Sequence, residues 1–322
     1  MSGLAVPPGE FELIERYFSR STPRRDVLLG VGDDAALLEM PPGRVLVAAT
    51  DTLVEGRHFL PGAPAESVGH QALAVNLSDL AAMGAEPAWA LLSLSIPSAD
   101  EDWVRRFADG LHALAGHHGV ALVGGDTVRG PRVITVTALG TVEPGLALRR
   151  DGAQPGDVLY VSGSPGEAAA GLERLGSGAP FDLADPLVRR YLYAEPRLAL
   201  GRALAGRATA AMDVSDGLLG DLGKLCAASG VAARLDLDRL PVSSALAAHG
   251  TLADRERWVL YGGDDYELLF TVPAPAAMAF EATLRSSVPV TRIGAIEAGS
   301  GVRCLRRGVE ERVEGSGYDH FA

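Results

Sequence analysis

The chain has 322 residues, 47 % hydrophobic and 22 % charged, the composition of a packed globular protein with room for two domains. A formal net charge of −12 argues against nucleic acid and anionic membrane as main partners, since both need clustered basic residues. Cys226 and Cys304 are the only cysteines and lie far apart, so neither a disulfide framework nor a thiolate zinc site is expected.

The first residues show no basic start followed by an apolar run, and no apolar stretch approaches the roughly 20 residues of a membrane span. A soluble cytoplasmic protein is the expectation. Lys224 is the only lysine, and no GxxxxGK[ST] string occurs, which argues against P-loop chemistry.

In chain order, Phe11 to Tyr17 has helical spacing, and Gly32-Asp33-Asp34 follows as a glycine-bracketed acidic pair. Val45 to Ala49 reads as a buried strand running into Thr50-Asp51-Thr52. Ser67 to Met83 reads as a helix stopped by Gly84 and Pro87. Strand Ala90 to Ile96, helix Asp102 to His117 and strand Val120 to Val123 come next, the last ending at Gly124-Gly125-Asp126-Thr127. Val133 to Thr141 alternates as a fourth strand. Turn chemistry around Arg149 to Gly156 marks a domain boundary, giving domains 1–150 and 151–322. The second series predicts strand Val158 to Val161, a Gly163-Ser164-Pro165-Gly166 loop and helix Glu167 to Leu175. One helix from Leu187 to about Leu204 and strand Ala208 to Met212 follow. That strand leads into Asp213-Val214-Ser215-Asp216-Gly217, and Gly262 to Asp265 precedes strand Tyr266 to Val272. Strands and helices alternate in both halves, so the class is α/β or α+β, mixed sheets flanked by helices.

The chemistry is in the acids. Asp51, Asp126 and Asp213 each stand just past a buried strand, where α/β proteins bind ligands. A single Gly-Asp pair is ordinary turn chemistry, but five such loops are not. Asn76 and Asp79 sit three apart on one face of an otherwise apolar helix, where a carboxylate is costly without a cation or donors; this outweighs the alternative that Asp79 only caps the Gly84 turn. Ser215 and Asp216 fit an N-cap and a dipole-complementing acid. So many carboxylates near one crevice call for hard divalent cations bridging to a phosphorylated ligand. Arg149 and Arg150 are candidate phosphate clamps, although arginines at a domain junction are commonly solvated. The 163–166 loop is a weak phosphate cradle and more simply a connection. His112, His117 and His118 read as surface residues. No GxGxxG, HExxH or GxSxG occurs.

Together GDDAALL (Gly32–Leu38), TDTLVEGRHF (Thr50–Phe59), NLSDLAAMGAEP (Asn76–Pro87), GGDTVRG (Gly124–Gly130), DVSDGLLGDL (Asp213–Leu222), GGDDYELLF (Gly262–Phe270) and GYDHF (Gly317–Phe321) resemble the thiamine-monophosphate kinase family. The resemblance implies the two-domain fold of aminoimidazole ribonucleotide synthetase, with an N-terminal domain that binds ATP and metal and mediates homodimerisation. It implies phosphoryl transfer from ATP to thiamine monophosphate with Mg²⁺. Asp33, Thr50, Asp51, Asp79, Asp126, Asp213 and Asp216 are the implied metal ligands. Gly125, Asp126, Arg150 and Ser215 are the implied ATP contacts, and His58, Glu267 and Tyr318 the implied contacts to the thiamine portion. Asp264 replaces the family's usual glutamate and is left outside that set. No general base is assigned, because the acceptor phosphate is itself largely ionised at pH 7, its second pKa being about 6. Direct in-line transfer is expected. Two rivals remain: a fold relative with another acceptor, and a non-catalytic nucleotide- or metal-binding protein.

Overall fold

The computed structural model describes residues 8–20 and 22–313, and Tyr318 therefore lies outside the described residues. The chain divides into two compact units, one of Met1–Leu80 with Glu86–Pro144, the other of Ala81–Ala85 with the residues from Gly145 onward. Among the described residues no helix is long and apolar enough to cross a membrane.

In the first unit, α1 (Glu10–Leu13) widens into a π-helix at Ile14–Phe18, and β1 (Val27–Leu29) pairs with β2 (Leu37–Leu38). Then come β3 (Val45–Val54), α2 (Ala65–Ala82), β4 (Glu86–Ile96), α3 (Glu101–His118), β5 (Ala121–Arg129) and β6 (Val133–Val142). The strands form one four-stranded sheet in the order β3-β6-β4-β5, with β4 and β5 parallel and the other pairs antiparallel. Helices α2 and α3 meet backbone to backbone. A Cβ on Gly69 would stand 2.0 Å from the Phe107 carbonyl oxygen, and one on Gly110 would stand 1.9 Å from that of Glu66.

Two strands run past their expected ends. β3 continues through Thr50-Asp51-Thr52 to Val54, because cross-strand threonine pairs hold it: Thr50 with Thr137 at 3.0 Å and Thr52 with Thr135 at 2.8 Å between hydroxyls. β5 continues through Gly124-Gly125-Asp126 after a register shift opposite Ala90/Leu91. Asp51 and Asp126 therefore sit within strands, not beyond them.

The second unit is built on a seven-stranded sheet. Its elements are β7 (Asp157–Ser162), α4 (Glu167–Gly176), α5 (Pro186–Leu192), α6 (Leu198–Leu204), β8 (Ala210–Val214), α7 (Leu218–Ser229), β9 (Ala232–Asp236), α8 (Ser244–Ala247) and α9 (Leu252–Tyr261). They continue with β10 (Glu267–Pro273), α10 (Ala274–Thr283), β11 (Val290–Glu297), β12 (Gly301–Arg306) and β13 (Val309–Glu311). The strand order is β13-β12-β9-β11-β7-β10-β8. One face buries Leu159, Val161, Met212 and Leu269 with Leu222, Leu225 and Trp258. On the other, Tyr160 stacks on Phe270 at 5.4 Å and both meet Phe280 of α10.

The single helix expected from Leu187 to Leu204 is two helices. Pro196 lacks an amide hydrogen and disfavours a helical conformation in the residue before it, so the chain leaves helix between Leu192 and Leu198. That break places Arg197 where it reaches Glu267.

Candidate active site

In the first unit, Asp33, Asp34, Gly125 and Asp126 line a common cavity of about 810 Å³ whose walls include Phe11, Ile14, Phe18, Leu38 and Leu91. Asp33 and Asp126 are exposed. Asp33 accepts the amide hydrogen of Asp34 at 2.8 Å, and no cationic side chain is paired with either acid among the described residues. Two open carboxylates facing an apolar-walled cavity suit a hard cation that arrives with ligand oxygens. Magnesium characteristically takes one or two carboxylates and completes its shell from phosphate and water. Among the described residues no three His, Cys, Asp or Glu side chains gather closely enough to hold an ion unaided.

Register decides what else can join them. Thr52, Thr135, Ser93 and Asp126 stand side by side across the sheet, so Asp126 shares the face of Thr52 and Thr50. Asp51 aligns with Val136, Leu92 and Gly125 and projects from the opposite face. Thr50 and Asp51 therefore cannot both give side-chain oxygens to one ion from this regular strand. The Thr50 hydroxyl is also engaged by the Val136 carbonyl at 3.1 Å. Asp79 is half-buried on α2. Its neighbour Asn76 is fully buried, donates to the Ala72 carbonyl at 3.0 Å and leaves its side-chain oxygen without a hydrogen bond. His58 accepts the Val54 amide hydrogen on Nδ1 at 3.0 Å, so Nε2 carries the proton when the ring is neutral. Gly125 is needed by its neighbour strand, since a Cβ there would lie 1.7 Å from the Leu92 carbonyl oxygen.

In the second unit Asp213 ends up inside β8 and is 8 % exposed. The segment after it does not use Ser215 as an N-cap: Gly217 holds that position, with no side-chain cap. The loop is instead tied by Asp221, a fully buried acid that accepts the amide hydrogens of Ser215 and Asp216, each at 3.0 Å. Lys224 bonds both Asp216 and Asp221. Burial raises the pKa of Asp221, against the opposing bond from Lys224.

Beside this loop runs the 263–266 segment, with the Asp264 amide on the Ser215 carbonyl at 2.9 Å and the Tyr266 amide on that of Val214 at 2.8 Å. Asp264 and Tyr266 both adopt left-handed backbone, φ 63° and 51°. That conformation is ordinary for Asp but strained for Tyr, a cost that structures keep mainly at functional positions. Burial pushes the Asp264 carboxyl up to about 6; the Tyr266 hydroxyl opposes the shift and the nearby Asp216 charge adds to it.

Glu267 is placed quite differently. Its side chain is 1 % exposed and accepts from Arg190 Nη2 at 2.8 Å, from Arg197 Nε at 2.8 Å and Nη2 at 2.5 Å, and from Ser162 Oγ at 2.5 Å. Burial alone would raise its pKa, but the Arg197 bond and the Arg190 charge hold it lowered. Four donors exhaust a carboxylate's ordinary acceptor capacity, so no lone pair is left for a substrate. Nor does the 163–166 loop cradle phosphate: the Gly166 amide hydrogen goes to Asp265 Oδ2 at 2.6 Å. Arg149 pairs with Asp151, whereas Arg150 is exposed and makes no ion pair among the described residues.

Two family models match the chain, AIR synthase related protein N-terminal domain over residues 32–142 and its C-terminal domain over 154–305. The sequence is 48 % identical to the thiamine-monophosphate kinase of Escherichia coli K12, covering 98 % of this chain and 98 % of that protein. The chain belongs to the thiamine-monophosphate kinase family. Among solved structures, the thiamine-monophosphate kinase of Stenotrophomonas maltophilia matches with a TM-score of 0.84 and 48 % identity, over 92 % of this chain and 96 % of that one. AaThiL, solved with AMPPCP and TMP, matches with a TM-score of 0.77 and 34 % identity, over 88 % of this chain and 89 % of that one.

Against this family background, the sequence reading overlooked Asp221, Asp265 and the two arginines on Glu267. Asp221 left a faint signal, an acid in the first turn of the apolar helix following DVSDG. Arg190 and Arg197 left none, because they reach Glu267 from about 70 residues away.

Proposed function

We propose that this protein transfers the γ-phosphoryl group of ATP to thiamine monophosphate, giving thiamine diphosphate and ADP, in one in-line step. Family membership supports the reaction class, and AaThiL with its bound AMPPCP and TMP supports a nucleotide and a phosphorylated acceptor held together. The observation that carries the reading in this chain is the convergence on one large cavity of Asp33 and Asp126, neither of which has a cationic partner among the described residues. Asp33, Thr50, Asp51, Asp79 and Asp126 in the first unit, with Asp213 and Asp216 in the second, are the residues that would hold Mg²⁺. Bound there, the metal would neutralise charge between two phosphates and stabilise the transferring group. Because their side chains leave opposite faces of β3, Thr50 and Asp51 would not hold the same ion through side-chain oxygens.

The chain's own residues do the rest. Gly125 with its apolar cavity in the first unit, and separately Ser215 and Arg150, which makes no ion pair among the described residues, in the second, are the residues assigned to nucleotide binding. His58, through Nε2–H, and Tyr318 contact the thiamine portion. Asp264 takes the acceptor-facing role in place of Glu267, since among the described residues its carboxylate accepts only the Tyr266 hydroxyl, at 3.1 Å, while Glu267 holds Arg190, which also bonds the Asp265 carbonyl of the same turn. No side chain is required to remove a proton, because the acceptor oxygen is already largely ionised.

One face of the β3-β6-β4-β5 sheet carries no helix of its own unit among the described residues, and its Leu46, 48 % exposed, and row of threonines support a homodimer through the first unit. Light scattering that finds only monomer across micromolar concentrations overturns the dimer. Phosphorus NMR of purified protein with ATP, Mg²⁺ and thiamine monophosphate tests the reaction. Thiamine diphosphate and ADP should appear in equal amounts; ADP without a diphosphate product, or no turnover, refutes the assignment.

A further inference from the structure

The second face of the seven-stranded sheet is only partly covered. α10 packs over β7 and β10, where Tyr160, Phe270 and Phe280 meet, and toward β9 and β12 no helix covers the same face among the described residues. Register places Arg292 beside Tyr160, Ala295 beside Val158 and Arg234, and Arg234 beside Arg303, so these side chains share that face. A cavity of about 180 Å³ opens there, lined by Arg234, Asp236, Arg239, Arg292, Gly294 and Leu305 among others.

Three features mark it as a built site. First, guanidinium groups outnumber carboxylates three to one among its lining residues, in a protein whose net charge is −12. Arg239 pairs with Asp236 at 3.1 Å and Arg234 with Glu297 at 3.3 Å, while Arg292 makes no ion pair among the described residues. Second, β11 shifts register between Arg292 and Gly294, and a bulge of this kind re-aims the side chain next to it. Third, the wall beside the bulge is glycine by necessity, as a Cβ on Gly294 would lie 2.0 Å from the Arg234 carbonyl oxygen. The cavity is smaller than the roughly 300 Å³ at which small-molecule pockets begin. It suits an ion-sized ligand, and planar guanidinium groups bind tetrahedral oxyanions through paired N–H bonds.

We propose that Arg234, Arg239 and Arg292 form a second anion site, separate from the acidic loops of this unit, that binds a phosphate-class anion without a metal ion. The ligand is one or two phosphoryl groups, either as free phosphate or pyrophosphate or as the end of a nucleotide.

Calorimetry with full-length protein in EDTA isolates this site, because the aspartate loops repel an anion when no cation is present. Pyrophosphate should bind with a stoichiometry near one per chain. The double variant Arg239→Gln/Arg292→Gln should weaken it at least tenfold while leaving turnover at saturating substrates unchanged. Both residues are exposed, and the circular dichroism of the variant should match the parent. ATP in EDTA separates the ligand sources: competition with pyrophosphate identifies nucleotide ends as ligands too, and no competition restricts the site to free anions. Absence of pyrophosphate binding in EDTA, or undiminished binding by the double variant, overturns the proposal.

Discussion

The acids of the first unit and those of the second solve opposite problems. Asp33 and Asp126 are exposed and have no cationic partner among the described residues, so they are open to incoming charge and contribute little to folding. Asp221, Asp265 and Glu267 are essentially buried, and each is satisfied: Asp221 by loop amides and by Lys224 of its own helix, Asp265 by the Gly166 amide, and Glu267 by arginines distant in the chain. The same residue types thus serve as ligands in waiting in one place and as internal scaffolding in the other. Solvent exposure and partner count, not identity, separate the two roles.

Substitutions should divide along the same line. The largest effect on chemistry is expected from Asp126→Asn, with turnover falling by about 10²–10³-fold on the scale of losing one preorganised electrostatic contact. Its thermal midpoint should stay within a degree or two of the parent by calorimetry, and a large stability loss would place Asp126 with the scaffold. Glu267→Gln should do the reverse. Breaking this buried cluster leaves Arg190 and Arg197 with only their outer partners Glu167 and Glu195, at a cost of up to about 3–5 kcal/mol in urea unfolding. A stable Glu267→Gln protein with impaired acceptor KM alone would return Glu267 to direct substrate contact.

Asp264 sits between the two classes, and pH sharpens its position. Its folded pKa of about 6 lies above the ordinary 3.8, so ionising it costs stability that is lost as pH rises from about 4 through 6. In EDTA, Asp264→Asn should therefore gain at most about 3 kcal/mol at pH 8 and nothing at pH 4. A gain independent of pH would show that strain, not charge, limits this turn. Smallest of all, Thr251→Ala removes the capping box that starts α9 and should cost about 1 kcal/mol in the same unfolding assay, with turnover unchanged.

Much of this arrangement is readable along the chain. The helices around Asn76 and Phe107 follow from their apolar spacing and glycine stops, and DVSDG and GGDD announce themselves by packing acids against glycines. Strand lengths were harder. Thr50 to Val54 and Gly124 to Arg129 look like loops because their polar and glycine residues carry no apolar pattern, yet ladders to β6 and β4 keep them extended. The helix broken at Pro196 was legible in principle, since a proline inside a helical pattern is a breaker wherever it falls.

The sequence by itself determined the α/β class, the family and the positions of the acidic loops, because periodicity, glycine and carboxylate placement are local properties. Only the tertiary structure decided that Asp51 and Asp126 point from opposite faces of one sheet, that Asp221 rather than Ser215 ties the DVSDG loop, and that Glu267 has no lone pair to spare. Each of those depends on register or on partners distant in the chain, and contacts between distant segments leave no periodic trace in either one.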